Sequence, residues 1–165
     1  MNQKIDKPPQ PLTAAHRVED FSSGEPTLDE WLKRRAMPNQ VSGASRTFVV
    51  VDQDKRVLGY YAIAAGAVAH QLATGRVRRN MPDPVPVLVL ARLAVDTQAQ
   101  GYKLGGALLQ DAVQRALTVS QNAGVRALLV HALNERAKQF YEYYGFQTSP
   151  LDPLTLMLRL STTQP

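Results

Sequence analysis

The chain of 165 residues contains no cysteine. That excludes disulfide staples, a thiolate nucleophile and cysteine-ligated zinc, and it fits a reducing compartment. Long hydrophobic runs are also missing. The longest apolar stretch, Val85 to Val95, is too short to span a bilayer and carries Arg92. The opening, MNQKIDKPPQP, lacks the apolar segment of a signal peptide. Residues 1–11 are therefore expected to be a flexible, solvated lead-in, and the protein cytoplasmic with no membrane partner. Acidic residues are the minority: 14 Asp and Glu stand against 19 Lys and Arg, a net charge of +5. With a pI near 9.7, an anionic partner becomes an expectation. No repeat and no linker interrupts the chain, so 1–165 reads as one domain.

Enough apolar sequence is present, 44%, to bury a core without staples. Residues 12–18 read as a first short strand, 27–39 as a helix stopped near Pro38, and 45–52 as a strand rich in β-branched residues. The turn 52–55 returns the chain into a long strand over 57–69. Residues 70–86, with Pro82, Pro84 and Pro86, read as an exposed basic loop with room for one helical turn. Residues 87–95 are continuously apolar, the pattern of a strand buried on both faces. A helix follows with Leu104, Leu108, Leu109, Ala112, Val113, Ala116 and Leu117 on one stripe. Residues 125–133 read as another buried strand. A helix from Asn134, a plausible cap, runs to about Tyr143 and is closed by Gly145. A last hairpin ends with 154–160. The expected fold is α+β, a mixed α/β domain with one central sheet.

The most informative stretch is 87–117. A strand ending at Val95–Asp96 meets a glycine-bearing turn, and a helix starts at once. That arrangement aims several backbone N–H groups and a helix N-terminus at one spot, which suits an anion. Gly105 and Gly106 allow close approach to the backbone. Glycines before a helix also serve plain helix–sheet packing, so the turn alone does not decide the matter.

The turn, Gln100-Gly101-Tyr102-Lys103-Leu104-Gly105-Gly106, resembles motif A of the GNAT acetyltransferases, Q/R-x-x-G-x-G/A, with Gln100 and Gly105 at its ends. Lys103 stands where the first motif glycine is usual. TLDEWL near the start, GASRTFVV (43–50), ARLAVD (91–96), GVRALLVHAL (124–133) and AKQFYEYYGF (137–146) together look like the GNAT toxins of bacterial type II toxin–antitoxin modules. The resemblance implies a GNAT fold, with a mostly antiparallel twisted sheet flanked by helices. It implies acetyl-CoA as co-substrate and no metal. The pyrophosphate would lie on Gln100, Gly101, Tyr102, Lys103, Leu104, Gly105 and Gly106. Leu93 and Val95 would offer main-chain groups to the pantetheine arm, and Asn134 a hydrogen bond to the cofactor.

The same resemblance implies a toxin that acetylates the α-amino group of aminoacyl-tRNA and blocks translation. Its implied partners are a ribbon-helix-helix antitoxin, operator DNA through that antitoxin, and a second copy of the chain. Acetylation of protein or small-molecule amines is the alternative, and a non-catalytic nucleic-acid module a third reading. Tyr141 is the expected acid for the leaving thiolate, by resemblance to the tyrosine of the F-Y-x-x-x-G-F segment; a phenol near pKa about 10 is close to an alkyl thiol. Tyr143 and Tyr144 are expected to pack or touch substrate. No carboxylate lies on 87–95 to act as base. Asp96 and Asp111 qualify by residue type only, and His131 is expected to be a satisfied core histidine. An α-amine, pKa about 7.7–8.0, needs a base less than a lysine does, which favours aminoacyl-tRNA. Lys33, Arg34, Arg35, Arg46, Arg76, Arg78 and Arg79 are the candidate tRNA contacts. Trp31, Phe48 and Tyr61 are left open as amine-pocket residues.

Overall fold

A computed structural model describes residues 7–161. In chain order the elements are β1 (Gln10–Pro11), α1 (Pro26–Arg34), α2 (Ala36–Ser42), β2 (Arg46–Val51), β3 (Val57–Val68), α3 (Gly75–Arg78), β4 (Val85–Val95), α4 (Leu104–Asn122), β5 (Ala127–His131), α5 (Glu135–Tyr143), β6 (Gln147–Thr148) and β7 (Thr155–Arg159). The seven strands form one sheet in the order β1-β2-β3-β4-β5-β7-β6. β4 and β5 run parallel, whereas β1–β2, β2–β3, β5–β7 and β6–β7 are antiparallel. Two compact units divide the chain. The first takes the residues up to Ala64 together with Ala91–Ala112, the second Ala65–Leu90 and the residues from Val113 on.

In the first unit, the β2–β3 hairpin turns on Asp52, whose Oδ1 accepts the N–H groups of Asp54 and Arg56, both at 2.9 Å. The core gathers Leu12, Phe21, Leu32, Ala36, Val49, Val57 and Tyr60. Tyr60 is wholly buried and donates its hydroxyl to the Leu28 carbonyl at 2.7 Å. A buried phenol needs such a partner, because an unpaired one costs roughly 1–3 kcal/mol. Gly59 lets α4 close onto β3: a Cβ there would sit 2.9 Å from Leu108 Cδ1.

Two expectations fail here. The first strand lies at Gln10–Pro11, paired with Val49 and Phe48, not at 12–18. Leu12 turns inward, the chain turns over the next residues, and Arg17 makes only an isolated bridge to Arg56. Thus Gln10 and Pro11 belong to the sheet rather than to a lead-in; residues 1–6 lie outside the described residues. The single helix over 27–39 is two helices. Pro38 does not stop a helix but sits in the first turn of α2, where a backbone N–H has no intrahelical acceptor and its loss costs nothing. Gly43, at φ 84°, ends α2 in the left-handed conformation.

In the second unit Val68, Ala73, Val77, Val85, Val87, Ala127, Leu129 and Met157 form one cluster. The proline-rich segment keeps its one helical turn as α3, with a short 3-10 turn at His70–Leu72 before it. Asn134 caps α5, its Oδ1 accepting the Ala137 N–H at 2.9 Å. Gly145, at φ 93°, closes that helix as expected. β4 is not buried along its whole length. Val85, Val87, Leu88 and Leu90 are buried, but Ala91, Arg92, Leu93 and Val95 are all half-buried. The last pair with β5 is Leu90↔Val130, and β4 runs on to Val95.

Candidate active site

The turn after β4 is built on Asp96, left open between cap and base, and Gln100, expected on the pyrophosphate. Asp96, 2% exposed, accepts the N–H of Gln98 at 2.9 Å and that of Ser22 at 3.0 Å. It is a cap, and both its oxygens are engaged. Gln100 gives its side-chain amide to the carbonyls of Ser23 and Val95, both at 2.9 Å. The motif glutamine therefore straps the turn to the strand end. Tyr102, 62% exposed, and Lys103 stand out from the turn beside its main chain.

That backbone is shaped by two left-handed residues, Gly101 at φ 90° and Lys103 at φ 60°. α4 begins at Leu104, and its first bond back to the turn is Ala107 N–H to the Lys103 carbonyl at 3.2 Å. The N–H groups of Leu104, Gly105 and Gly106 thus belong to the first turn, where an α-helix offers no carbonyl to them. They are the donors an anion would meet. Lys103 holds the conformation that a glycine takes freely, at a cost of about 1–2 kcal/mol for a residue with a Cβ. Lys103→Gly is therefore expected to stabilise the protein by about 0.5–1 kcal/mol, net of the entropy glycine adds to the unfolded chain. Lys103→Ala, which keeps the Cβ, is expected to change little. Urea midpoints of the two variants check this.

Strand geometry fixes which way the main chain of Leu93 and Val95 faces. Asp96 donates its N–H to Leu58 on β3 at 2.8 Å. Successive residues point their N–H and C=O groups to opposite edges, so those of Leu93 and Val95 face away from β3. The Val95 carbonyl is the one Gln100 takes, which agrees. The Leu93 main chain and the Val95 N–H remain along that edge, beyond the last pair with β5.

In the same unit Arg92, which sequence reading registered only as a charge in an apolar run, lies with its guanidinium 5.4 Å from the Trp31 ring centroid. It donates to the Ala91 carbonyl at 2.8 Å. Trp31 in turn stacks on Tyr60 at 6.0 Å. Trp31 is half-buried, whereas Phe48 and Tyr61 are buried and stack on each other. The Tyr61 hydroxyl binds Asp111 Oδ2 at 2.5 Å. That engages the carboxylate of Asp111 within the fold.

In the second unit Tyr141 lies on α5, 7% exposed, with Phe140 at 5.1 Å and Phe146 at 5.5 Å between ring centroids. Among the described residues no hydrogen bond to its hydroxyl is found. Burial pushes the phenol above its ordinary value. The near match to a thiol expected from a free phenol therefore shifts: Tyr141 is the weaker acid, and it is reliably protonated at working pH. Tyr143 is 83% exposed, and Tyr144 packs its ring on Phe140. Asn134 spends its oxygen on the cap, and its side-chain NH2 is the group left to a ligand.

His131 is not a core residue. It ends β5, exposed, with Nδ1 2.9 Å from Thr155 Oγ1. Sequence reading missed this because the burial of a strand's last residue depends on where the neighbouring strands stop.

The basic residues fall in both units. Lys33, Arg34 and Arg35 are consecutive at the end of α1, so they fan around it. Arg34 pairs with Glu30 at 2.7 Å, and Arg46 donates to the Gln40 carbonyl at 2.7 Å. Arg76, Arg78 and Arg79 are exposed on and just after α3. Arg126 holds that segment, donating to the carbonyls of Val77 and Arg76, both at 3.1 Å, and of Arg79 at 3.3 Å. Among the described residues no group of His, Asp and Glu is placed to hold a metal ion, and no helix is long and apolar enough to cross a membrane.

A strand that leads through such a turn into a helix N-terminus makes a site for a phosphate-bearing ligand, and the acyl-CoA-dependent transferases are one class built on it. The model of the acetyltransferase (GNAT) domain matches residues 44–148, and the chain belongs to the GNAT acetyltransferase family, whose acetyl donor is acetyl-CoA. It is 54% identical over 150 residues to the tRNA-acetylating toxin of Mycobacterium tuberculosis, covering 91% of this chain and 90% of that one. Among solved structures it resembles AtaT complexed with acetyl-methionyl-tRNAfMet, with a TM-score of 0.85 and 25% identity over 92% of this chain and 93% of that one. It also resembles a tyrosine-to-phenylalanine mutant of AtaT bound to the C-terminus of the antitoxin AtaR and acetyl-CoA, with a TM-score of 0.78 and 25% identity over 92% and 91% of the two chains.

Proposed function

We propose that this protein transfers acetyl from acetyl-CoA to the α-amino group of aminoacyl-tRNA, and so acts as a toxin that blocks translation. The observation that carries this reading is the 54% identity, along nearly the whole chain, to a tRNA-acetylating toxin. The residues suit the chemistry. The N–H groups of Leu104, Gly105 and Gly106 bind the pyrophosphate, with the main chain of Gly101, Tyr102 and Lys103 shaping the turn that Gln100 straps. Leu93 and Val95 take the pantetheine arm along the outer edge of β4, and the Asn134 amide adds a donor. The bound thioester supplies an acetyl carbonyl activated for attack by an amine. Tyr141 delivers a proton to the departing sulfur, starting from a phenol that burial keeps protonated.

Arg76, Arg78 and Arg79, with Lys33, Arg34, Arg35 and Arg46, are the proposed phosphate contacts. An antitoxin segment that covers such charges would compete with tRNA, in keeping with the bound antitoxin C-terminus in an AtaT structure. The antitoxin is proposed to be of the ribbon-helix-helix kind and to carry the complex to operator DNA. The toxin is proposed to be a homodimer that acts in the cytoplasm. The test is transfer of labelled acetyl from acetyl-CoA to charged tRNA, with deacylated tRNA as control. Label only on charged tRNA is expected. Its absence, with acetyl-CoA still bound, would move the substrate to protein or small-molecule amines.

A further inference from the structure

His131, Thr155 and Asp152 form a chain of hydrogen bonds that the acetyl-CoA site does not use. β5 and β7 pair His131 directly with Thr155. His131 Nδ1 lies 2.9 Å from Thr155 Oγ1, and that hydroxyl lies 2.7 Å from Asp152 Oδ2. Thr155 is buried, while His131 is exposed. The Thr155 hydroxyl and the Leu154 N–H hold the Asp152 carboxyl below its usual range, and His131 adds to this. Asp152 is therefore a carboxylate and can only accept. The Thr155 hydroxyl must donate to it, so its oxygen accepts from His131. Nδ1 then carries the imidazole proton, and the Nε2 lone pair is directed away from the relay. A base oriented by a second group that is itself oriented by a carboxylate is the logic of a catalytic triad.

The position suits a role in the reaction. His131 is the first residue of β5 after Val130, the last to pair with β4. It stands at the carboxyl end of a parallel strand, the end where open sheets with parallel strands take their ligands. The ring and the Asp152 carboxylate interact electrostatically. Asp96 and Asp111, the other candidate bases, are committed to structural bonds.

We propose that His131 Nε2 is the base that takes the proton from the substrate's α-ammonium group, with Thr155 and Asp152 as its positioning residues. This rests on the aminoacyl-tRNA reading above. In balance, the ammonium gives one proton to Nε2, which passes it to water. The freed amine attacks the acetyl carbonyl carbon, the N–C bond forms and the C–S bond breaks. The sulfur takes a proton from Tyr141, and the second proton leaving nitrogen restores the phenol. The products are the amide, the free thiol and one proton.

The test is single-turnover acetylation of aminoacyl-tRNA by wild type, His131→Gln, Thr155→Val and Thr155→Ser across pH. Without the base, the rate should follow the amine's own ionisation and climb about tenfold per pH unit below the amine's pKa, which the ester draws under the ordinary α-amine value of about 7.7–8.0. His131→Gln is expected to be slower by roughly severalfold at about pH 6, and by less than about twofold at about pH 8.5, where the amine is neutral unaided. Thr155→Val should show the same pH-dependent deficit in smaller measure, and Thr155→Ser should restore the wild-type profile. A deficit constant with pH, or none, in both His131→Gln and Thr155→Val overturns the assignment while wild-type acetylation stands. Absence of acetylation by wild type overturns the functional reading, and this assignment with it.

Discussion

Tyr141→Phe should lower the acetyl-transfer rate by roughly 100- to 10,000-fold, the usual worth of a positioned general acid, and leave the fold intact. The ring, not the hydroxyl, packs: Phe140 and Phe146 hold it from two sides, and phenylalanine keeps both contacts. No partner of the hydroxyl among the described residues is orphaned by its removal, so stability should change by less than about 1 kcal/mol. Affinity for acetyl-CoA should hold, because the proposed donors to the pyrophosphate lie in the turn and in α4. Rate loss with unchanged binding places the lost interaction in the transition state. Loss of acetyl-CoA binding instead would make Tyr141 a packing residue. Burial raises this phenol, so its ionisation should not limit the rate at ordinary working pH. The sign for stability follows. Above about pH 10 the unfolded chain's tyrosine ionises while the folded one keeps its proton, so stability falls as pH rises. Phenylalanine removes that contribution, and the alkaline loss of stability should be smaller in the variant.

Replacing Arg76, Arg78 and Arg79 together by alanine should weaken tRNA binding on the order of 100-fold near physiological salt, taking the electrostatic part to vanish near about 1 M. The same change should flatten the logarithmic salt dependence by about 2–3 units, since each phosphate contact contributes roughly 0.7–0.9. The three side chains are exposed, and only Arg78 is seen to use its guanidinium within the segment, donating to the His70 carbonyl at 3.4 Å. Arg126 binds their segment through main-chain carbonyls, which alanine keeps, so the surface should lose charge and one long hydrogen bond while holding its shape. Burial and the nearby Arg159 and Arg79 push the Arg126 guanidinium below its ordinary value, a sign of cations gathered on one surface. Titration of charged tRNA at several salt concentrations measures both effects. An unchanged slope removes this cluster from the binding surface. An acetyl-CoA KM that shifts as much as the tRNA KM assigns the loss to the site as a whole.

Much of the proposed site was readable before any coordinates. The strand–turn–helix of 87–117 follows from an apolar run, a turn and a stripe at helical spacing, all within about thirty residues. α5 follows from a capping asparagine at one end and a left-handed glycine at the other. The break between α1 and α2 was not readable, because proline stops a helix in its interior but is tolerated in its first turn, and sequence alone does not say which turn it occupies. Arg34 looked like part of a basic cluster. The helix also sets it against Glu30, one turn away.

The sequence by itself determined the elements proposed to carry the transferase chemistry: the turn, the helix N-terminus beyond it, the cap of α5 and the helical place of Tyr141. Each depends on residues within a few positions of one another, where periodicity and the needs of backbone N–H groups are local. Tertiary structure alone decided where β4 outruns β5, and so which main-chain groups lie on its free edge. It also brought Arg126 to α3 from 49 residues away and put Thr155 beside His131 across 24 residues. Those contacts are made when distant strands and helices pack, and no local pattern encodes which partners meet.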